Sequence, residues 1–134
     1  MRSGIAGHCP SGGTRSGLDR FTVCVRRVVD WRGGALPREP SKLRSGIVVE
    51  DGELFPDDYP NILVVPMTRD EGLAHESFAE RIEPTAQNSA EGTCWALAHH
   101  VTSVSLRRVT PTDSRVTDQQ LANIRQRIRL TLGD

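Results

Sequence analysis

The stretch that decides the fold runs from Arg44 to Thr68: R-S-G-I-V-V over residues 44–49, E-D-G-E-L-F-P-D-D-Y-P over 50–60, and N-I-L-V-V-P-M-T over 61–68. Two β-branched runs, Ile47 to Val49 and Ile62 to Val65, flank an acidic segment broken by Gly52, Pro56 and Pro60. That pattern predicts strand, loop and strand in an antiparallel sheet. Antiparallel neighbours run in opposite directions, so the start of one strand lies beside the end of the next. Arg44 opens the first strand and Thr68 closes the second, so both are expected at one edge of the sheet, where a site is to be sought.

Working outward, the chain of 134 residues suits one small domain with a single hydrophobic core. Residues 1–20 are dense in Gly and Ser with no apolar period, and read as a disordered leader ahead of a single domain over 21–134. An upstream start codon that leaves these residues as a translated leader is an alternative. They hold no continuous apolar region of the secretory kind, and no later run is long enough to cross a membrane, so the reading is cytoplasmic. Cys9, Cys24 and Cys94 are odd in number and unpatterned, which argues against a disulfide framework.

The formal net charge is zero, but it is unevenly spread. Residues 1–50 carry nine basic and four acidic groups, residues 51–112 four and ten, and residues 113–134 four and three. This lacks the broad basic face that grips duplex DNA. A site for a few nucleotides of single strand needs only a local positive cluster, so RNA is compatible with neutrality.

Phe21 to Trp31 is β-rich and predicts a strand, and Arg32 to Leu43, with two glycines and two prolines, predicts a loop. Leu73 to Ile82 reads as holding a strand, with His75 beside the loop, although Phe78 and Ile82 also fit one helical face. Gln87 to Gly92 reads as a polar turn. Thr93 to Leu97 and Val101 to Val104 read as one long strand interrupted or bent at His99 and His100, and Pro111 to Ser114 as a turn. The last element is a helix. Thr117 with Gln120 forms a capping-box pattern, Val116 with Leu121 a hydrophobic staple, and Leu121, Ile124, Ile128 and Leu132 one apolar stripe. Gly133 is a natural stop, and Arg125, Arg127 and Arg129 suit the helix dipole and read as a solvated face. A zinc site from Cys94, His99 and His100 fits no ligand spacing and is set aside; Cys94 beside Trp95 reads as a buried thiol.

In this order of elements the chain resembles the MazF/PemK family of toxin endoribonucleases. The resemblance rests on the arginine ahead of the first Val-rich strand, N-x-x-V-V-P-x-T over residues 61–68, C-W-A-L-A-H-H-V-T-S-V-S-L over 94–106, and D-x-x-L-x-x-I-x-x-x-I-R-x-x-L-G over 118–133. It covers roughly residues 44–133. Family members begin with a strand of the form R-G-D-I-W, of which Arg27 to Trp31 is a degraded version. The resemblance implies a mainly β fold, a small antiparallel CcdB/PemK-type, SH3-like barrel with a C-terminal helix. It also implies a homodimer that cuts single-stranded RNA without a cofactor or metal, and an antitoxin whose disordered tail fills the RNA groove and meets the loop over 32–43.

RNA carries its own nucleophile, the 2′-hydroxyl, so the protein must move protons and stabilise charge on the phosphoryl oxygens. Arg44 and Thr68 match the family's catalytic arginine and threonine, the guanidinium forking onto two phosphate oxygens and the hydroxyl donating one more hydrogen bond. The bland alternative is that Arg44 only pairs with the acidic loop and Thr68 only ends a strand. The family's acidic and amide residues correspond here to His99 and His100. An imidazole can move a proton near neutral pH, so His99 is assigned the missing acid–base role, with His100, Ser45 and Thr102 assigned to RNA binding. Adjacent histidines on a strand point to opposite faces, so only one can face the groove. The alternative is that both make surface or subunit contacts. At the level of function, the rival readings are a catalytically inactive remnant and a CcdB-like gyrase-binding toxin.

Overall fold

The computed structural model describes residues 25–31, 43–85 and 92–134. The leader over 1–20, the start of the first strand, the loop over 32–42 and most of the turn before Gly92 lie outside the described residues. Seven strands and one α-helix are present among the described residues: β1 Arg27–Trp31, β2 Arg44–Val48, β3 Asn61–Thr68, β4 Ala79–Ile82, β5 Cys94–Leu97, β6 Thr102–Ser105, β7 Val109–Arg115 and α1 Asp118–Thr131. Every pairing is antiparallel. The strand order is β4-β5-β3-β2-β1-β7, with β6 also paired to β3. No helix among the described residues is long and apolar enough to cross a membrane.

β3 is the axis. One edge pairs with β2 through Gly46–Pro66, Ile47–Val65 and Val48–Val64. The other edge is shared: Asn61 to Val64 pair with β6, and Met67 and Thr68 with β5. From Val64 to Met67 β3 advances three residues, whereas its partner advances six from Thr102 back to Ala96. The three surplus residues, Ala98–His100, are taken up in a 3₁₀ turn. The strand expected to be interrupted or bent at the histidines is interrupted there: two short strands flank the 3₁₀ turn.

The ladder does not close into a continuous barrel. β6 pairs β3 and β7 pairs β1, and the two are joined through the 3₁₀ turn Leu106–Arg108, so a covalent link bridges the gap. Inside that ring lies one apolar cluster, Val29, Trp31, Val48, Ile62, Val64, Val104, Leu106 and Val109. The opposite face, bearing Ile47, Val65, Ile82 and Ala96, packs on Leu121 and Ile124 of α1. Period-2 alternation along β2 and β3 feeds both clusters, which is why these strands read as unbroken Val and Ile runs. Full burial of each such side chain contributes roughly 1.5–3 kcal/mol.

α1 begins as expected. The Thr117 hydroxyl accepts from Gln120 N at 3.0 Å and Gln120 Oε1 accepts from Thr117 N at 2.8 Å. Val116 and Leu121 meet in the helix-side core. The helix ends at Gly133, φ 93°, with Gly133 N donating to Leu130 O and Asp134 N to Arg129 O. Three expectations are corrected. Leu132 leaves the stripe and is exposed, because it is the C-cap residue beyond the last helical turn. Arg125 and Arg127 are clamps rather than a solvated face. Arg125 donates to Val49 O and Glu50 O at 3.1 and 3.2 Å, while Arg127 Nε meets Glu80 Oε1 at 3.0 Å and its Nη1 donates to Glu76 O. Pro111 to Ser114 is strand, not turn: β7 ends the sheet order, where a proline's missing N–H is tolerated, and an irregularity between Arg27 and Val29 absorbs the register shift. The strand expected within Leu73 to Ile82 is β4, and the residues before it form a 3₁₀ turn at Glu71–Leu73 and a turn over 76–78.

Gly46 admits a close approach of the Trp31 ring and the β3 backbone. A Cβ at Gly46 would lie 2.6 Å from Trp31 Cζ3 and 2.9 Å from Val65 O, one of them backbone. Gly46→Ala is therefore expected to lower stability by about 1–3 kcal/mol, as overpacking does. Gly52→Ala, where a Cβ meets nothing within 4 Å, should stay within about 0.5 kcal/mol. Chemical denaturation of the two variants beside the wild type checks the contrast.

Candidate active site

Directly opposed residues of an antiparallel pair share a face. Trp31 opposes Val109 on one side and Arg44 on the other. The last pair of the β2–β3 ladder is Gly46–Pro66, and the same register continued two steps past the ladder's end aligns Arg44 with Thr68 on one face. Thr68 in turn opposes Trp95, and Trp95 opposes Arg81. One row thus crosses five strands, Trp31, Arg44, Thr68, Trp95 and Arg81, on the face away from α1. It lies at the mouth of the barrel ring, where β3 runs on to pair with β5.

Burial grades along the row. Trp31 is 5% exposed and its ring covers Gly46, Arg44 and Thr68 are half-buried, as is Trp95, and Arg81 is exposed. The Nε and Nη2 atoms of Arg44 are shielded from solvent, so its charge acts in a medium less polar than water. The Thr68 hydroxyl accepts from Asp70 N at 3.0 Å, which orients the side chain and leaves its hydrogen to donate. Arg81 forms an exposed ion pair with Glu83, whose other oxygen accepts from Thr93 Oγ1 at 3.0 Å.

The other residues singled out from the sequence are distributed differently. Ser45 lies on the opposite face from Arg44 and donates to Asp30 Oδ1 at 2.9 Å. Thr102 opposes Val64 and is exposed, on the row's face but four residues down β3 from Thr68. His99 and His100 stand on the 3₁₀ turn that packs against α1. The His99 ring lies 3.8 Å from Phe78 and 4.1 Å from His100, centroid to centroid. Phe78 with Glu76, Ser77, Arg127, Leu130 and Thr131 lines an open groove of about 660 Å³ along the helix. The structure therefore groups Arg44 with Thr68 and sets the histidine pair on the helix side. The rule that adjacent histidines face opposite ways fails because a 3₁₀ turn does not alternate.

Cys94 is half-buried, with Sγ 4.0 Å from Met67 Sδ and 3.9 Å from Ile82 O. Burial pushes its thiol pKa up, with Arg69 opposing and Glu83 adding to the rise. Among the described residues no group of three or more His, Cys, Asp or Glu is placed to hold a metal ion. Trp95 and Arg81 were not singled out from the sequence. Their place depends on two non-local pairings, and the available signal was that a tryptophan is conspicuous where aromatics are only 4% of the chain.

The family model for PemK-like, MazF-like toxins of type II toxin–antitoxin systems matches residues 27–132. The chain belongs to that family. Among solved structures it is similar to the Mycobacterium tuberculosis toxin MazF-mt6, with TM-score 0.62, 13% identity, and 81% of this chain and 97% of that one covered. It is also similar to a MazE-MazF structure from Deinococcus radiodurans, with TM-score 0.60, 20% identity, and 81% and 94% covered. At these identities the structural likeness carries the fold, a mostly antiparallel sheet with one C-terminal helix. Comparison of the sequence with curated proteins gave no match.

Partial burial pushes the His99 pKa down, and the charge of His100 pushes it further the same way. In an NMR titration His99 should stay neutral to a lower pH than a free histidine. His100→Ala should move its midpoint back up only part of the way, since desolvation is the larger cause.

Proposed function

We propose that this chain is the toxin of a type II toxin–antitoxin pair and that it cuts single-stranded RNA at the Arg44–Thr68 end of the sheet. The observation that supports this reading is the register: continued two positions past its last pair, Gly46–Pro66, it puts a shielded arginine and an oriented threonine hydroxyl on one face, in a chain of the MazF-like family. With a phosphodiester between them, the RNA 2′-hydroxyl attacks its own phosphorus, the P–O5′ bond breaks, and the products are a 2′,3′-cyclic phosphate and a 5′-hydroxyl. Negative charge gathers on the non-bridging oxygens during that step. Arg44 meets it with a fixed, forked cation and Thr68 with a neutral donor, groups whose effect is largest where water is excluded.

The substrate supplies its own nucleophile, so this chemistry asks the protein for no metal. A homodimer and a cognate antitoxin belong to the same reading, in a cytoplasmic setting. The relative from Deinococcus radiodurans is named as a MazE-MazF assembly, which supports the antitoxin. Proton transfer by His99 belongs to this reading only if the strand passes round the sheet edge to the turn at residues 98–100. The contact of His99 with Phe78 favours a structural role. The pH–rate profile of His99→Ala is accordingly expected to keep the wild-type acid limb.

Purified protein incubated with mixed-sequence single-stranded RNA in EDTA should yield cyclic-phosphate ends. Arg44→Ala should lose at least about 10²-fold in rate, the usual cost of removing one donor to a developing oxyanion, and Thr68→Ala should lose less. Absence of cleavage by folded wild-type protein overturns the nuclease reading in favour of a toxin that acts by binding another protein.

A further inference from the structure

The row does not stop at the phosphate site. Beyond Thr68, one strand spacing of about 4.8 Å farther along the same face, stands Trp95. It is a half-buried indole in a chain with two tryptophans, and the other, Trp31, is packed into the ring. Neighbouring β5 residues divide by face. Cys94 and Ala96 belong to the helix-side core, whereas Trp95 points the opposite way, beside a threonine and an arginine. Apolar burial alone would be served better by turning so large a ring inward. An indole kept at a water-accessible edge, flanked by hydrogen-bond donors and cations, suits a ligand that is flat, apolar on its faces and anionic along its backbone.

We propose that Trp95 is the stacking platform for the base adjacent to the phosphate held at Arg44 and Thr68. This rests on the RNA reading above and adds a residue to it. Arg81, on the far side of Trp95, carries the next phosphate. Its ion pair with Glu83 is solvent-exposed, so exchanging that carboxylate for a phosphate costs little. The strand therefore runs across the sheet, from β2 toward β4, rather than along it. Stacking accepts every base, so Trp95 holds the strand in place and discriminates weakly among sequences.

The test is fluorescence of the full chain on titration with a DNA oligonucleotide, which lacks the 2′-hydroxyl and cannot be cut. A dye on the oligonucleotide reports binding independently by anisotropy. Stacking should quench part of the tryptophan emission at saturation. Trp95→Phe should remove that quench while binding within a few-fold of wild type, because a phenyl ring still stacks. Trp95→Leu should bind about 5- to 150-fold more weakly, the equivalent of the ~1–3 kcal/mol that one stacked base contributes.

Binding without quench, or equal affinity in Trp95→Leu, overturns the platform whether or not the protein cleaves RNA. Quench lost in Trp95→Phe, together with an absence of RNA cleavage, upholds the platform and removes only the nuclease. No binding of the DNA oligonucleotide overturns the platform, and together with an absence of RNA cleavage it overturns the nuclease as well. Because Trp95→Phe keeps an aromatic ring, the comparison survives a folding defect in Trp95→Leu.

Discussion

The structure depends on β3 having two partners on one edge. A straight partner cannot follow β3 along its whole outer edge, because β3 must serve the barrel ring with its first half and the β4–β5 extension with its second. The three residues Ala98–His100 relieve that conflict by leaving the ladder. Their departure allows β6 to bend toward Leu106–Arg108 and close the ring through β7, while β5 stays flush with Met67 and Thr68. The barrel mouth, and with it the row from Trp31 to Arg81, exists because the partner strand is broken at that point.

The two faces of the sheet divide the work. On the helix side, charge is structural. Arg125 ties α1 to the backbone at Val49 and Glu50, and Glu50 Oε1 accepts from Leu63 N at 3.0 Å, so one carboxylate and one guanidinium join helix, loop and β3. Glu80 is bonded by Asn123 as well as Arg127. Hydrogen bonds of this charged kind contribute about 1.5–3 kcal/mol each. On the other face, charge is spaced along a row at the mouth of the ring, with a half-buried indole between Thr68 and Arg81. A formal net charge of zero conceals this division, since it averages clamps with the site.

Much of this was legible in the chain. Arg44 and Thr68 could be set together because each stands at a strand end and antiparallel pairing leaves few alternatives. Both ends of α1 were legible because Thr117, Gln120 and Gly133 act within one turn of themselves. What escaped has a common cause. Pro, Asp and Ser over residues 111–114 are turn formers by local preference, and only the place of β7 at the end of the sheet lets them be strand. The histidines alternate on paper, but the register of β3 against two partners decides that they sit on a 3₁₀ turn with their rings in contact. Trp95 entered the row through pairings with residues 27 positions before it and 14 positions before it, which no window of sequence displays.

Gly46 also acts as a lock on alignment. Of the five residues of β2, it alone has no Cβ, and the Trp31 ring occupies the space where one would stand. Sliding β2 past β1 by one position would bring the side chain of Ser45 or Ile47 into the indole, and would turn Arg44 to the helix side. One missing methyl group thus excludes the neighbouring alignments and fixes which way the guanidinium faces, at a distance of two residues from the atom that is absent.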